Sequence, residues 1–268
     1  MGQLQFLSLA SGSSGNCFYL GDDHTGIMID AGIPVKSIRK ALKDHNIPFE
    51  RLSAIFVTHD HADHIRSVGT LGEVYYLPIY STAAIHDGIN KSYSVTEKLY
   101  SAKRIITKYS TITLNRFKIT PFEVPHDGTD NVGYLVEYDD MKIAFATDLG
   151  HISKTVSDYI SRANYLIIES NYDEEMLRCG NYPHYLKERI RSANGHMSNR
   201  GTAEWLASNY QDHFKHIFLC HLSKDNNHPE LAFKTVESAL AQKGISIGID
   251  VRLTSLRRNN CSDLIEFI

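Results

Sequence analysis

Cysteine is scarce in this chain: four among 268 residues, at Cys17, Cys179, Cys220 and Cys261, with no C-x-x-C pair. That scatter argues against a thiolate zinc cluster and for a reducing compartment. Long apolar runs are missing too. No stretch reaches membrane-spanning length, and no basic segment followed by an apolar one opens the chain, so the expectation is a soluble, cytoplasmic protein that does not engage a membrane. The net charge is only −3, which supplies no global basic field. A nucleic-acid partner would have to be held by a local patch or by bound cations. Repeats, low-complexity tracts and linkers are also lacking. With 42% hydrophobic residues the chain can bury a full core, and one domain over residues 1–268 is the economical account.

What the chain does hold is a dense run of imidazole and carboxylate. Residues 54–58 are a short apolar, partly β-branched stretch that predicts a buried strand, and it stops at His59-Asp60-His61-Ala62-Asp63-His64. His59 and His61, two apart on extended backbone, project to the same side. Asp63 and His64 fall where the chain turns into residues 65–74, whose looser helical periodicity is broken by Gly69 and Gly72. Ligand-type side chains this dense at one strand end predict a metal site. Mixed imidazole and carboxylate suit borderline divalent ions such as zinc, manganese or iron. Two such ions would bring about four positive charges and reverse the local sign.

Before that run, residues 4–10 alternate toward a strand and Ser11-Gly12-Ser13-Ser14-Gly15-Asn16 is a small-residue loop. Strands at 17–20 and 26–30 follow around the turn Gly21-Asp22-Asp23. Ser14 and Asn16 are candidate substrate contacts, since such loops can offer N–H groups to a phosphate. With no Walker lysine after it, the loop reads more readily as a tight connection. Asp30 could accept hydrogen bonds from the histidine loop and hold it in place, or serve only as a turn or cap residue. A helix is expected over 34–45, a strand over 78–81 and a helix over 82–89. Residues 90–103, polar and Tyr-bearing, read as a mobile connection bordering the site. Strands follow at 105–107, 111–114, 117–124, 132–138 and 141–147, the last two joined by a hairpin at Asp139-Asp140. Strand ends then deliver His126 and Asp148. Beyond them come a helix at 154–162, a strand at 165–168 ending in Glu169, and helices at 173–179 and 183–192. Ser198 caps a helix over 199–208. A strand at 217–220 delivers His221, and a helix at 229–241 precedes a last strand near 248–253.

A lone histidine is more often a surface or satisfied core group than a ligand, and His24, His45, His86, His151, His184, His213, His216 and His228 are read so. The strand ends at 59–64, 126, 148, 169 and 221 differ in their shared setting. Their order resembles the metallo-β-lactamase-fold hydrolases, whose signature is H-x-H-x-D-H followed by separate His, Asp and His ligands. The resemblance spans nearly the whole chain, from the Asp30 strand to His221. It implies an α/β fold of the αββα type, two mixed β-sheets face to face with helices outside. It also implies two divalent metal ions. His59, His61 and His126 would hold the first, and Asp63, His64 and His221 the second, with Asp148 bridging and Asp30 positioning. Asp63 favours the two-metal form, in which a bridging hydroxide is the nucleophile.

The fold hosts many chemistries, so function rests on the remaining residues. Glu169-Ser170 after a strand, and Gly195-His196-Met197-Ser198 before a helix, resemble motifs of the tRNase Z-type phosphodiesterases. That likeness makes His196 the acid that protonates the leaving oxygen and Glu169 the group that orients it. An alkoxide leaving group needs such a proton. The plainer reading of His196 is a polar residue near a helix N-cap. The loop at 11–16, the run at 58–64, the segment 195–199 and His221-Leu222-Ser223 with Asn226-Asn227 narrow the resemblance to the YycJ (WalJ)-type nucleases. This implies a nucleic-acid partner, DNA, and 5′-to-3′ exonuclease activity linked to repair. The chain lacks room for a β-CASP insertion and shows no Gly/Pro-rich arm, which points away from the RNA substrates of relatives that carry them. Asn226 joins Ser14 and Asn16 as a candidate substrate contact. Arg66, Lys91, Tyr93, Lys98, Lys103 and Lys224 are candidate phosphate or base contacts, although such loop residues are more often merely solvated. The alternatives are a hydrolase of a thioester, lactone or cyclic nucleotide, a tRNase Z-like RNA endonuclease, and a non-catalytic metal-binding regulator.

Overall fold

A computed structural model describes residues 3–268. In chain order the elements are β1 (Leu4–Gly12), β2 (Gly15–Gly21), β3 (Gly26–Ile29), α1 (Val35–Asp44), β4 (Leu52–Phe56), α2 (Ala62–Ile65), α3 (Val68–Glu73), β5 (Ile79–Ser81), α4 (Ala83–Lys91) and β6 (Lys103–Ile105). There follow β7 (Ile112–Leu114), β8 (Phe117–Glu123), β9 (Val132–Tyr138), β10 (Met141–Ala146), α5 (Lys154–Ile160), β11 (Tyr165–Glu169), α6 (Glu174–Cys179), α7 (His184–Arg191), α8 (Asn199–Ser208), β12 (His216–Cys220), α9 (Pro229–Ala241), β13 (Arg252–Ser255) and β14 (Ile265–Phe267). The chain divides into two compact units. One holds residues up to Thr107 with Gly128–Asp130 and Arg257–Ile268; the other holds Lys108–Asp127 and Asn131–Leu256.

The first unit is built on a seven-stranded sheet in the order β14-β1-β2-β3-β4-β5-β6. Pairing is antiparallel from β14 to β3 and parallel from β3 to β6. Strand β14 closes the edge beside β1, where the ring of Phe6 stacks between Phe267 at 5.6 Å and Phe18 at 6.3 Å. Aromatic pairs of this kind contribute roughly 0.5–1.5 kcal/mol beyond their burial. The small-residue loop resolves as a tight hairpin, since Ser11 pairs with Asn16 and Gly12 with Gly15. Strand β4 ends at Phe56, two residues before the expected boundary, because the Thr58 N–H is taken by Asp30 Oδ1 at 2.8 Å. In place of one loose helix over 65–74, α2 ends at Ile65 and the shorter α3 runs from Val68 to Glu73.

The second unit repeats the plan: a seven-stranded sheet ordered β13-β12-β11-β10-β9-β8-β7, antiparallel from β7 to β10 and parallel from β10 to β13. Strands β11 and β12 are buried along their whole length, as unbroken apolar runs in parallel sheets are. Leu166, Ile168, Ile217 and Leu219 share a core with Val156 and Ile160 of α5, Ala203 and Leu206 of α8, and Val236 and Leu240 of α9. Helix α8 starts where expected, its N-cap Ser198 accepting from the Gly201 N–H. The last expected strand is displaced: residues 246–250 form a turn with Gly248 at φ +86°, and β13 starts only at Arg252. Among the described residues no helix is long and apolar enough to cross a membrane.

Candidate metal centre

In the first unit the ligand-type side chains gather at the carboxyl ends of parallel strands, the usual place for a site in such sheets. Asp30 follows β3 in the left-handed region, φ +60°, and is fully buried. Its carboxylate takes three hydrogen bonds. Oδ1 accepts from the Thr58 N–H, and Oδ2 accepts from the Thr58 hydroxyl (2.9 Å) and from His64 Nδ1 (2.7 Å). The Thr58 Oγ1 in turn faces His59 Nδ1 at 2.9 Å. One buried carboxylate therefore sets His64 directly and His59 through a hydroxyl. Burial pushes the Asp30 carboxyl up, and its bonds to His64 and Thr58 only partly offset this. The rings of His59 and His61 lie 4.6 Å apart, and those of His59 and His64 4.1 Å. His61 precedes α2, Asp63 and His64 lie within it, and Asp63 Oδ2 is 3.6 Å from His64 Nε2.

The segment after Asp30 threads a narrow gap. Ala31 N–H donates to the His64 carbonyl and Gly32 N–H to the Asn16 carbonyl. A Cβ at Gly32 would overlap the carbonyl of Asp63, so only glycine passes there. Asn16 is buried, with its amide nitrogen 2.9 Å from His64 Nε2 and 3.2 Å from Asp63 Oδ2. Its place beside two ligand-type residues comes from the hairpin register. Ser14 instead donates to Asn259 on the surface.

In the second unit the donor atoms of Asp148, Glu169, His196 and His221 all lie within 4.8 Å of one another. Asp148 follows β10, Glu169 ends β11 and His221 follows β12 at φ +51°, its carbonyl fixed by Asn171 Nδ2 at 2.8 Å. Glu169 Oε1 lies 2.8 Å from His196 Nδ1 and 2.8 Å from His221 Nδ1, while Oε2 accepts from the Leu149 and Met197 N–H groups at 2.8 and 3.0 Å. Asp148 Oδ1 is 3.1 Å from His221 Nδ1 and 3.7 Å from His126 Nε2. His126 Nδ1 faces the Gly195 carbonyl at 2.9 Å. Although burial works against an imidazolium, the adjacent Glu169 carboxylate holds His196 above the ordinary histidine value. Glu169 lies below its own ordinary value, because His196 and His221 outweigh the burial that would raise it.

The donor set fits borderline divalent cations. His59, His64, His126 and His221 each engage an oxygen through Nδ1, which assigns the proton there and the ligating lone pair to Nε2. Four features escaped sequence reasoning: the Thr58 relay, the Gly195 carbonyl behind His126, the approach of Asn16, and the second partner of Glu169. Only Thr58, a hydroxyl next to the histidine run, left a local signal. Asn226 is buried and bonds Ser223 Oγ, and Lys98 spends its ammonium on the carbonyls of Ser92 and Val95, so the fold itself uses these two candidate contacts.

Comparison with known proteins agrees with this chemistry. A beta-lactamase superfamily domain matches residues 25–215. The chain is 36% identical over 250 residues to the exodeoxyribonuclease YycJ of Bacillus anthracis, covering 91% of this chain and 92% of that one. It is 36% identical over 258 residues to the exodeoxyribonuclease WalJ of Streptococcus pneumoniae, covering 96% of each. The solved metallo-beta-lactamase fold protein YhfI from Bacillus subtilis superposes with a TM-score of 0.70 over 97% of this chain and 99% of that one, and at 16% identity this likeness speaks for the fold alone. From the matched domain, the relatives and the histidine–aspartate clusters together, the chain belongs to the metallo-β-lactamase superfamily of metal-dependent hydrolases.

Proposed function

We propose that this hydrolase is a phosphodiesterase acting on nucleic acid: a cytoplasmic 5′-to-3′ DNA exonuclease with a role in DNA repair. In this reading residues 1–268 act as one catalytic domain without a β-CASP insertion. The observation that carries it is the Glu169–His196 pair, a buried carboxylate 2.8 Å from an imidazole that keeps a face toward solvent. A thioester or activated ester expels a stable anion and needs no such acid; a phosphodiester expels an alkoxide and does. The exodeoxyribonuclease names of the relatives support DNA as the polymer.

His59, His61 and His126 would hold one divalent cation, and Asp63, His64 and His221 the other, with Asp148 shared between them. Zinc and manganese both suit these donors, and iron is compatible. Bound, the two cations would polarise the phosphate and lower the pKa of a water molecule. The other roles fall to side chains. Asp30 and Thr58 keep His64 and His59 in one tautomer. Glu169 holds the proton on His196 Nδ1 and raises the basicity of that ring, so that His196 Nε2 carries the proton given to the leaving oxygen.

The test is incubation with 5′- and 3′-labelled single- and double-stranded DNA and RNA, with manganese or zinc, beside His61→Ala as the inactive control. Release of nucleotides from the 5′ end of DNA is the expected result. His196→Ala should keep both metals and lose most of the rate. Loss of metal from that variant would make His196 a ligand, and hydrolysis of thioesters or lactones but no nucleic acid would remove the phosphodiesterase reading.

A further inference from the structure

The segment after α4, expected to be a mobile connection, is pinned at four points. Asn90 brackets Leu99, donating to its carbonyl and accepting from its N–H, each at 2.8 Å. Lys98 Nζ ties the carbonyls of Ser92 and Val95. Glu73 Oε1 gathers the N–H groups of Tyr100, Ser101 and Ala102 at 2.7, 3.0 and 3.1 Å. Thr70 Oγ1 donates to Glu97 Oε2 at 2.6 Å. Val95 and Leu99 are buried beneath. On this fixed loop Tyr93 is fully exposed and Tyr100 78% exposed. Val95 and Leu99 do the packing of this loop, and the two exposed tyrosines add nothing to it.

Charge on the segment is mostly positive. Between residues 88 and 107 stand Lys91, Lys98, Lys103 and Arg104 against one acid, Glu97, whose carboxylate is bound by Thr70. The loop also starts beside the histidine run. Gly88 of α4 lies against the Asp60 carboxylate, so closely that a Cβ would overlap it, and the Ser92 N–H donates to the Gly88 carbonyl at 3.0 Å. The loop therefore leaves α4 one turn, about 5.4 Å, beyond its contact with the residue between His59 and His61.

We infer that this pinned loop is a stacking surface for an unpaired DNA strand, with bases on Tyr93 and Tyr100 and phosphates on Lys91 and Lys103. The inference rests on the nucleic-acid reading above and names the strand it takes. Aromatic faces hold any base, and neighbouring cations follow the backbone. Because the loop is already ordered, little entropy is lost when the strand lands.

The test uses the metal-loaded protein and a fluorescent phosphorothioate oligothymidine that resists hydrolysis, beside an abasic strand of equal length. Tyr93→Ala and Tyr100→Ala should each raise Kd for the oligothymidine about tenfold and leave Kd for the abasic strand alone. The ratio of oligonucleotide to nitrophenyl-phosphodiester turnover should fall by the same factor. Lys103→Glu should flatten the salt dependence of binding. A Tyr93→Ala/Tyr100→Ala protein that binds oligothymidine within twofold of wild type overturns the inference while leaving the nuclease reading intact. A wild-type protein that hydrolyses the nitrophenyl ester but neither binds nor cuts any oligonucleotide overturns both.

Discussion

Glu169→Gln changes one buried atom and almost no volume, yet four donors converge on that carboxylate. The two imidazole Nδ1 atoms face Oε1, and the Leu149 and Met197 N–H groups face Oε2. An amide has one acceptor end and one donor end. With its NH2 toward the histidines, both rings must move their proton to Nε2, which blocks ligation by His221 and leaves His196 without the carboxylate that makes it an acid. With its NH2 toward the backbone, two donors confront two donors. Loss of general-acid help costs about 100- to 10,000-fold in rate, equivalent to about 3–5 kcal/mol of barrier. The same change should destabilise the fold by roughly 2–4 kcal/mol, as losing charge-assisted buried hydrogen bonds does. The assay compares kcat on an alkyl-leaving phosphodiester with kcat on a nitrophenyl ester at saturating metal, with bound metal measured on the same samples. The alkyl substrate should suffer the full loss and the nitrophenyl ester little of it. Equal losses on both substrates at equal metal content would refute the acid role of His196.

Asp30→Asn should weaken metal binding about 10- to 100-fold while sparing kcat once metal saturates, since Asp30 acts through His64 and Thr58; unchanged affinity in a metal titration would remove its positioning role. Asp148→Asn should lower the occupancy of both ions together, and elemental analysis that finds full occupancy would contradict a shared carboxylate. A fourth prediction concerns His216, which packs against Phe218 with ring centroids 3.9 Å apart and bonds Thr254 through Nε2. Burial, helped by Arg252, pushes its pKa down to about 4. The folded state thus prefers the neutral ring, so this contribution is complete above the unfolded value near 6.5 and is lost as pH falls toward 4, by about 3 kcal/mol at most. Urea unfolding of His216→Asn should show a shallower decline over that window, and parallel curves would show that His216 does not titrate this way.

The parts of this molecule legible in its sequence are those whose cause is local. An apolar strand that stops at His59, Ser198 before a helical period, and a twin-aspartate hairpin each carry their reason within a few residues. Strand β14 was missed because its stability comes from pairing with β1, more than 250 residues away, and from the Phe6–Phe267 stack. The second partner of Glu169 was missed likewise: His196 and His221 are 27 and 52 residues from it, and only the parallel order of β11 and β12 brings His221 to the same oxygen. Residues 90–103 read as mobile because polar composition marks a loop. What fixes them is Glu73, a carboxylate on an earlier helix whose reach is tertiary. Asp30, Asp148, Glu169 and His221 were legible as strand-end groups because parallel strands deliver their carboxyl ends to one edge, whereas His126 follows β8, which is antiparallel to both of its neighbours.

That directional order also offers a practical handle. The β9–β10 hairpin turns at Asp139 and Asp140, both exposed, while Asp148 sits past the far end of β10. Seven residues of mostly extended chain separate Asp140 from Asp148, roughly 20–25 Å. A dye attached through Asp140→Cys would thus ride on the same rigid strand as the chemistry without touching it. Cys17 and Cys220 are buried, so replacing the exposed Cys179 and the half-buried Cys261 would leave that handle as the sole reactive thiol among the described residues.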